Sequence, residues 1–331
     1  MDEFDWIETY LAPLAGPEGL KLQDDAALYQ PRSSQDLVLT QDSFVEGVHF
    51  FEGEYGAGTA ERLLAVNLSD LAAKGARPVG YLLSVAWPQH LKDRVLKTWM
   101  AGFSKGLATS QSAYGFTLFG GDTVKTKGPM VLTATFIGIV PKGEMVTRSG
   151  AKEGDDVWVT GTIGDAHLGL LLTQESKDVL SCEPAGEHIW QWEEAFRYPT
   201  PRLLFRKTLR QYATSCADVS DGVLSEASHI AKASQCHLAL SLKNIPLSKG
   251  SEKWCKFGSK EDRYLDLVTA GDDYELLFTA NPKDQEDIKE GAQKIGLKLT
   301  RIGNVQKGLG LSCLGLTGVP LELKKIGYTH K

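Results

Sequence analysis

The sequence lacks the cysteine patterns that mark a zinc site or a disulfide-stabilised protein. Its five cysteines lie far apart and include no C-x-x-C pair. They are Cys182, Cys216, Cys236, Cys255 and Cys313. An odd number with irregular spacing is typical of buried or incidental thiols in a reducing cytosol, so we expect neither disulfides nor structural zinc.

Long hydrophobic runs and basic clusters are also missing. No stretch of about 18 apolar residues occurs, so we expect no membrane span. The start, Met1–Asp5, lacks the basic and apolar regions of a secretory signal. The net charge is −6 and no block is dense in Lys or Arg, whereas nucleic-acid binding requires a basic surface. These absences predict a cytoplasmic protein with no nucleic-acid or membrane partner.

Common catalytic motifs do not occur either. There is no G-x-x-x-x-G-K-[ST], no kinase-type G-x-G-x-x-G loop with H-R-D, and no G-x-S-x-G elbow. Gly161–Asp165 lies between a predicted strand and a predicted helix. Such a helix start can hold an anion, but an ordinary turn explains it equally well. No histidine pair has the metal-binding spacing H-x-x-x-H. A Ser-His-Asp hydrolase is poorly supported because the G-x-S-x-G elbow is missing.

The length of 331 residues exceeds what one core usually organises, which predicts two domains. Pro141–Gly143, with Ser149–Gly150 and Glu153–Asp155 after it, forms a natural connector. We place the first domain at residues 1–141 and the second at 150–331. Strands and helices mix without a regular βαβ repeat, which favours an α+β fold over a doubly wound sheet.

Hydrophobic periodicity predicts the individual elements. In the first domain we predict strands at 37–42, 81–87 and 130–140, and helices at 59–76 and 90–110. In the second we predict strands at 156–160, 237–242 and 274–280, helices at 166–172, 201–212, 222–233 and 284–295, and a β-rich tail. Asp42 is placed at the end of the first strand. Asp70 is placed within the first helix, beside its apolar stripe of leucines.

Short acidic clusters beside small residues are abundant. They are Asp24–Ala27, Thr40–Asp42, Asn67–Asp70, Gly120–Thr123, Asp218–Gly222 and Gly271–Glu275. Each alone is most simply a helix cap, a turn or a solvated loop. Several of them, however, border packed elements, where an unpaired charge is costly.

Convergence of these carboxylates would require cations. Two like charges about 4 Å apart repel by about 4 kcal/mol at an effective dielectric of about 20. A handful of such pairs would exceed a domain's net stability of about 5–15 kcal/mol. Asp oxygens with a Thr hydroxyl or a carbonyl suit Mg²⁺, which bridges to phosphate oxygens. The clusters therefore predict a magnesium site for an anionic substrate.

In their order along the chain, the motifs resemble those of the thiamine-monophosphate kinase family, which belongs to the superfamily of aminoimidazole ribonucleotide synthetase. They are Asp-Asp-Ala-Ala, Thr-x-Asp with Gly-x-His-Phe, Asn-x-Ser-Asp-x-Ala-Ala-x-Gly-Ala, Gly-Gly-Asp-Thr, Thr-Arg-Ser-Gly-Ala, Asp-x-Ser-Asp-Gly and Gly-Asp-Asp-Tyr-Glu-Leu. The resemblance runs from about residue 20 to Tyr328. Each motif alone is weak evidence for the family, but the occurrence of all seven in this order is specific to it.

The resemblance implies an α+β fold of two α/β domains of the aminoimidazole ribonucleotide synthetase-like type. The N-terminal domain would carry a mixed or antiparallel sheet at a homodimer interface. ATP would lie in the cleft between the domains, bridged by several Mg²⁺ ions. Its γ-phosphoryl group would pass in line to thiamine monophosphate, giving thiamine diphosphate without a phospho-enzyme.

The resemblance also assigns roles by position. The metal ligands would be Asp25, Thr40, Gln41, Asp42, Asp70, Asp122, Asp218 and Asp221. The ATP contacts would be Tyr114, Gly121, Asp122, Arg148 and Ser220, and the substrate contacts His49, Asp272 and Tyr328. Catalysis would rest mainly on Asp70, Asp122 and Arg148.

Three positions depart from the family pattern. Gln41 stands where Thr is common, so the ligand there could be only a backbone carbonyl. Asp272 stands where Glu is usual, so its substrate contact would be one methylene shorter or made through water. Lys74 replaces a common Met and receives no role from the pattern.

Other activities stay open on the sequence alone. Selenophosphate synthetase needs a reactive cysteine near the N-terminus, whereas the first one here is Cys182. The hydrogenase-maturation relative ends in a cysteine-bearing tail, unlike Tyr328–Lys331. Aminoimidazole ribonucleotide synthetase itself is harder to exclude, although Gly-x-His-Phe and the C-terminal Gly-Tyr favour thiamine monophosphate. A metal-dependent phosphate-ester hydrolase and a non-catalytic nucleotide sensor are the alternatives from other classes.

Overall fold

The computed structural model describes residues 3–54, 56–182, 184–324 and 326–328. The chain forms two compact units. Unit 1 contains Met1–Leu71 and Ala76–Met145, and unit 2 contains Ala72–Gly75 and Val146–Lys331. Each unit combines one mixed sheet with helices, which confirms the predicted α+β class.

Unit 1 is built on a four-stranded sheet. Its strands are β1 Gln35–Val45, β2 Arg77–Pro88, β3 Thr117–Thr126 and β4 Val131–Pro141. Its helices are α1 Glu3–Trp6, α2 Ala57–Ala73 and α3 Asp93–Tyr114, with short π and 3-10 turns between Ile7 and Leu22. The strand order is β1-β4-β2-β3, in which β2 and β3 are parallel and the other pairs antiparallel.

The apolar stripe of α2 packs into the core of unit 1, as its spacing predicts. Leu63, Leu68 and Leu71 are fully buried. A Cβ at Gly138 of β4 would lie 2.8 Å from Leu71 Cδ2, so the missing side chain lets the helix approach the sheet. This packing fixes the position of Asp70, the residue before Leu71.

Unit 2 is built on a six-stranded sheet. Its strands are β5 Asp156–Thr160, β6 Ala213–Asp218, β7 His237–Ser241, β8 Leu276–Ala280, β9 Leu299–Gln306 and β10 Gly310–Leu314. Its helices are α4 Asp165–Thr173, α5 Lys177–Leu180, α6 Gly186–Arg197, α7 Arg206–Tyr212, α8 Val223–Ser234, α9 Lys249–Trp254, α10 Lys260–Val268 and α11 Gln285–Gln293. The strand order is β10-β7-β9-β5-β8-β6, with β10 and β7 parallel and the other pairs antiparallel.

The core of unit 2 lies between this sheet and its helices. Val157 and Val159 of β5 and Ile302 of β9 join Leu224 and Ile230 of α8 in one buried cluster. The cluster holds the start of α8 against the ends of the strands, where the acidic loops lie.

The structure differs from the sequence predictions at two places that bear on function. The prediction that Asp42 ends its strand is wrong, because β1 continues to Val45 by pairing with β4 through Val131. The periodicity also predicts neither β3 nor β6, which carry Asp122 and Asp218. The Gly-Gly-Asp centre of β3 has low strand propensity, and its pairing with β2 stabilises it instead.

None of the described helices combines the length and the apolarity needed to cross a membrane.

Candidate active site

In unit 1, β1 and α2 bring an acidic pair together. Thr40 Oγ1 donates a hydrogen bond to Asp70 Oδ2. Burial raises the pKa of Asp42 to about 6, with a further contribution from the Asp70 carboxylate. Thr40 and Asp42 are two residues apart on a strand, so both project from the same side of β1. The carboxylates of Asp42 and Asp70 and the hydroxyl of Thr40 therefore lie together on this side of β1.

A cavity of about 750 Å³ lies in the same unit and gathers a second group of predicted residues. Asp25, Gln41, Gly121 and Asp122 line it, together with Asp24. Gln41 alternates with Thr40 and Asp42 along β1, so its side chain projects from the opposite side of the strand. The predicted ligands of unit 1 thus form two sets, one on either side of β1.

Two contacts shape this cavity. Gln41 Oε1 accepts a hydrogen bond of 2.7 Å from Thr135 Oγ1, which fixes the amide on the sheet. A Cβ at Gly121 would lie 1.8 Å from the carbonyl oxygen of Leu83, so only glycine allows β3 to run this close to β2. The glycine thereby places Asp122 at the cavity wall.

The donor set in unit 1 fits a magnesium ion that shares its ligands with a substrate. Among the residues that the structure describes, no three His, Cys, Asp or Glu side chains form a complete metal site. Mg²⁺, however, is usually held by one or two carboxylates, with phosphate oxygens and waters filling its shell. Asp42 and Asp70 supply such a pair of hard oxygen ligands, and their mutual repulsion is what a cation would relieve.

His49 is held in the turn that follows β1. Its Nδ1 accepts a hydrogen bond of 3.1 Å from the backbone N–H of Val45, so the neutral ring carries its proton on Nε2. The ring stacks on Phe44 with centroids 5.7 Å apart, and Arg62 Nη1 donates to the His49 carbonyl at 2.8 Å. Tyr114 lies elsewhere, as the last residue of α3, and is not among the described residues that line the cavity.

In unit 2, adjacent loops bring most of the other predicted residues together. Asp218 ends β6 and is 4% exposed, and Ser220 and Asp221 follow it before α8 begins. The Asp272 N–H donates to the Ser220 carbonyl at 2.9 Å, and the Tyr328 N–H donates to the Asp221 carbonyl at 3.0 Å. These five residues therefore share one region of unit 2.

The loop that carries Asp272 is strained and firmly anchored. Asp272 and Tyr274 have φ angles of 73° and 51°, a region that costs a non-glycine residue about 1–3 kcal/mol. Asp273 Oδ1 accepts a hydrogen bond of 2.8 Å from the Gly164 N–H, and burial raises the pKa of the Asp273 carboxyl well above its usual value.

Glu275 anchors the end of the same loop. Its Oε2 accepts hydrogen bonds from Arg202 Nε at 2.7 Å and Thr160 Oγ1 at 2.5 Å, and Arg202 Nη2 binds its Oε1. Its carbonyl accepts from the Val219 N–H at 2.7 Å. The network ties the Asp272 loop to the loop that holds Ser220.

Arg148 lies beside a buried carboxylate. Its Nη2 is 3.3 Å from Glu226 Oε2, and the two side chains are 46% and 1% exposed. The sequence pattern does not reveal Glu226, because an acid in the first turn of a helix usually only interacts with the helix dipole. It does not reveal Arg202 either, because that arginine belongs to no recognisable motif.

Family models match both units of the chain. The model for the N-terminal domain of AIR synthase related proteins matches residues 23–140, and the model for the C-terminal domain matches residues 152–313. Among curated relatives, the thiamine-monophosphate kinase of Caulobacter vibrioides is 40% identical over 331 residues, covering 99% of this chain and 90% of that protein.

Solved structures agree with these matches. The thiamine-monophosphate kinase of Stenotrophomonas maltophilia K279a has a TM-score of 0.77 and 35% identity, covering 89% of this chain and 90% of that one. The structure of AaThiL complexed with AMPPCP and TMP has a TM-score of 0.75 and 28% identity, covering 99% of this chain and 97% of that one.

Proposed function

Because the chain belongs to the thiamine-monophosphate kinase family, within the AIR synthase related proteins, we propose that it transfers the γ-phosphoryl group of ATP to thiamine monophosphate. The products are thiamine diphosphate and ADP. The observation that carries this proposal is the likeness over 99% of the chain to AaThiL, which was solved with AMPPCP, an ATP analogue, and TMP. The acidic chemistry of both units supports it.

The predicted metal ligands would hold Mg²⁺. In unit 1 these are Thr40, Asp42 and Asp70 on one side of β1, and Asp25, Gln41 and Asp122 around the cavity. In unit 2 they are Asp218 and Asp221. Bound Mg²⁺ neutralises the charge of the phosphates of ATP and of the acceptor. The acidic residues bind and orient the reactants and need not donate or accept a proton.

The remaining predicted residues would position the two substrates. Arg148, Ser220, Gly121 and Tyr114 contact ATP, and His49, Asp272 and Tyr328 contact thiamine monophosphate. An ionised phosphate oxygen of thiamine monophosphate attacks the γ-phosphorus in line, and the bond from that phosphorus to the β-bridging oxygen of ADP breaks. The nucleophile already carries negative charge, so a general base is unnecessary.

We also propose that unit 1, the ATP- and magnesium-binding domain, forms a homodimer through its sheet. β1 is an edge strand, and its Leu37 and Leu39 are 46% and 66% exposed. An edge strand with exposed apolar residues readily pairs with another chain, and the homodimer of the family makes a second copy the partner. Light scattering should give a dimer mass for the wild type and a monomer mass for Leu39→Lys. A dimer for both would contradict this interface.

One assay tests the activity. The protein is incubated with Mg²⁺, ATP and thiamine monophosphate, with EDTA and acceptor-free reactions as controls. We expect thiamine diphosphate and ADP in equal amounts, and neither product with EDTA. ADP that forms equally well without the acceptor would support a hydrolase instead, and the absence of any turnover would support a nucleotide sensor.

A further inference from the structure

Glu226 is a buried acid that forms an ion pair with an exposed arginine. It lies in the first turn of α8 and is 1% exposed, with its Oε2 3.3 Å from Arg148 Nη2. A carboxylate removed from water is costly unless a cation and hydrogen bonds compensate it. The N-terminal dipole of α8 supplies part of that compensation, and the Arg148 guanidinium supplies a full opposite charge.

The surroundings show that this pair belongs to a charged cluster at the end of β6. Four charged groups lie within electrostatic range of the Cys216 thiol: Lys74, Asp218, Arg148 and Glu226. Lys74 Nζ in addition donates a hydrogen bond of 3.0 Å to the Cys216 carbonyl. Two cations and two anions thus surround the strand end that carries the predicted ligand Asp218.

The geometry points to Glu226 as a positioning residue that holds the Arg148 guanidinium ready for the ATP phosphates. An exposed arginine loses rotamer entropy on binding, and a fixed carboxylate beneath it removes part of that cost in advance. The guanidinium has five N–H donors in a planar fork, so the contact through Nη2 leaves other donors for phosphate oxygens. This inference rests on the proposed contact of Arg148 with ATP.

The test is a double-mutant cycle with Glu226→Gln and Arg148→Ala, which measures whether Glu226 acts through Arg148. Glu226→Gln keeps the shape of the side chain and removes its charge. We expect it to raise the KM for ATP about tenfold, because the guanidinium then loses the charge that holds it in place. The KM for thiamine monophosphate should stay within about twofold. In the Arg148→Ala background, Glu226→Gln should have no further effect on the KM for ATP.

Asp156→Asn is a matched control. Asp156 Oδ1 accepts from Arg301 Nε at 2.7 Å, and the two side chains are 5% and 54% exposed, so this pair has the same burial pattern as Glu226 and Arg148. We expect Asp156→Asn to leave the KM for ATP unchanged. If Glu226→Gln does not fold, Glu226→Asp serves in its place, because it withdraws the carboxylate from Arg148 by one methylene.

A wild-type KM for ATP in Glu226→Gln would overturn the inference, and so would an equal rise in the Arg148→Ala background or in Asp156→Asn. An unchanged KM and kcat in Arg148→Ala alone would overturn it for a different reason, because the proposed contact of Arg148 with ATP would then be wrong.

Discussion

Units 1 and 2 contain partly or fully buried carboxylates in opposite electrostatic settings. In unit 1, burial raises the pKa of Asp42 to about 6, and the facing carboxylate of Asp70 adds to the rise. In unit 2, Glu226 and Glu275 each lie against an arginine. Arginine side chains of unit 2 therefore neutralise Glu226 and Glu275, whereas a cation from solution would be needed to neutralise the acidic pair of unit 1.

The difference predicts different outcomes when members of the two kinds of pair are changed. Where a buried acid is paired with an arginine, removing the arginine leaves the carboxylate without its cation and should destabilise the protein. An acid that faces another acid destabilises the metal-free fold, and its removal should cost activity instead.

The largest expected effect is on turnover in unit 1. Asp70→Asn should lower kcat by about a thousandfold or more, since charge stabilisation of the transferred phosphoryl group is usually the largest catalytic term. Thermal unfolding without Mg²⁺ should show a Tm equal to or above that of the wild type. Asp122→Asn should lose activity in the same way. Near-wild-type rates in either variant would remove the basis for assigning metal ligands to unit 1.

The next effect is on stability in unit 2. Arg202→Met should lower the free energy of unfolding by about 3 kcal/mol, because it leaves the Glu275 carboxylate buried without its cation. Urea unfolding of Arg202→Met and of Asp70→Asn, both without Mg²⁺, gives the comparison directly. Equal losses of stability in the two variants would show that the units do not differ as described.

A smaller effect should appear as a pH dependence. The pKa of Asp42 is about 6 in the folded protein against an ordinary value of 3.8, so between these values the folded state binds the extra proton. Stability should therefore fall as pH rises from about 4 to about 6, by at most about 3 kcal/mol, and then level off. Metal-free Asp42→Asn should lack this component. If the free energies of unfolding of the wild type and Asp42→Asn differ by the same amount from about pH 4 to about pH 6, the repulsive pair is contradicted.

The smallest effect concerns the substrate side of unit 2. Tyr328 is 49% exposed, and its backbone is held by Asp221. Loss of the ring in Tyr328→Ala should raise the KM for thiamine monophosphate about fivefold, which corresponds to about 1 kcal/mol of stacking, and spare the KM for ATP. Tyr328→Phe should behave as wild type. An equal rise in the KM for ATP would show that the residue is misplaced.

The sequence predicts the features that depend on local periodicity. The buried face of α2 and the strand β5 follow directly from the spacing of their apolar residues. It does not predict β3 or β6, because their stability comes from pairing with distant strands. The contact of Thr40 with Asp70 is also hidden, since the two residues are 30 positions apart in the sequence.

The same limit applies to the site. Acidic motifs mark which residues to consider, but the sequence does not tell which carboxylates have a cation beside them. Arg202 is distant in sequence from Glu275, and Arg148 is distant from Glu226, so only the fold reveals these pairs.

The most direct test of the acidic pair is anomalous diffraction from crystals grown with Mn²⁺ and AMPPCP. We predict an anomalous peak coordinated by the carboxylates of Asp42 and Asp70 and by a phosphate oxygen of the nucleotide. Metal ions bound by phosphates alone, with both aspartates uncoordinated, would contradict the claim that unit 1 supplies the protein ligands.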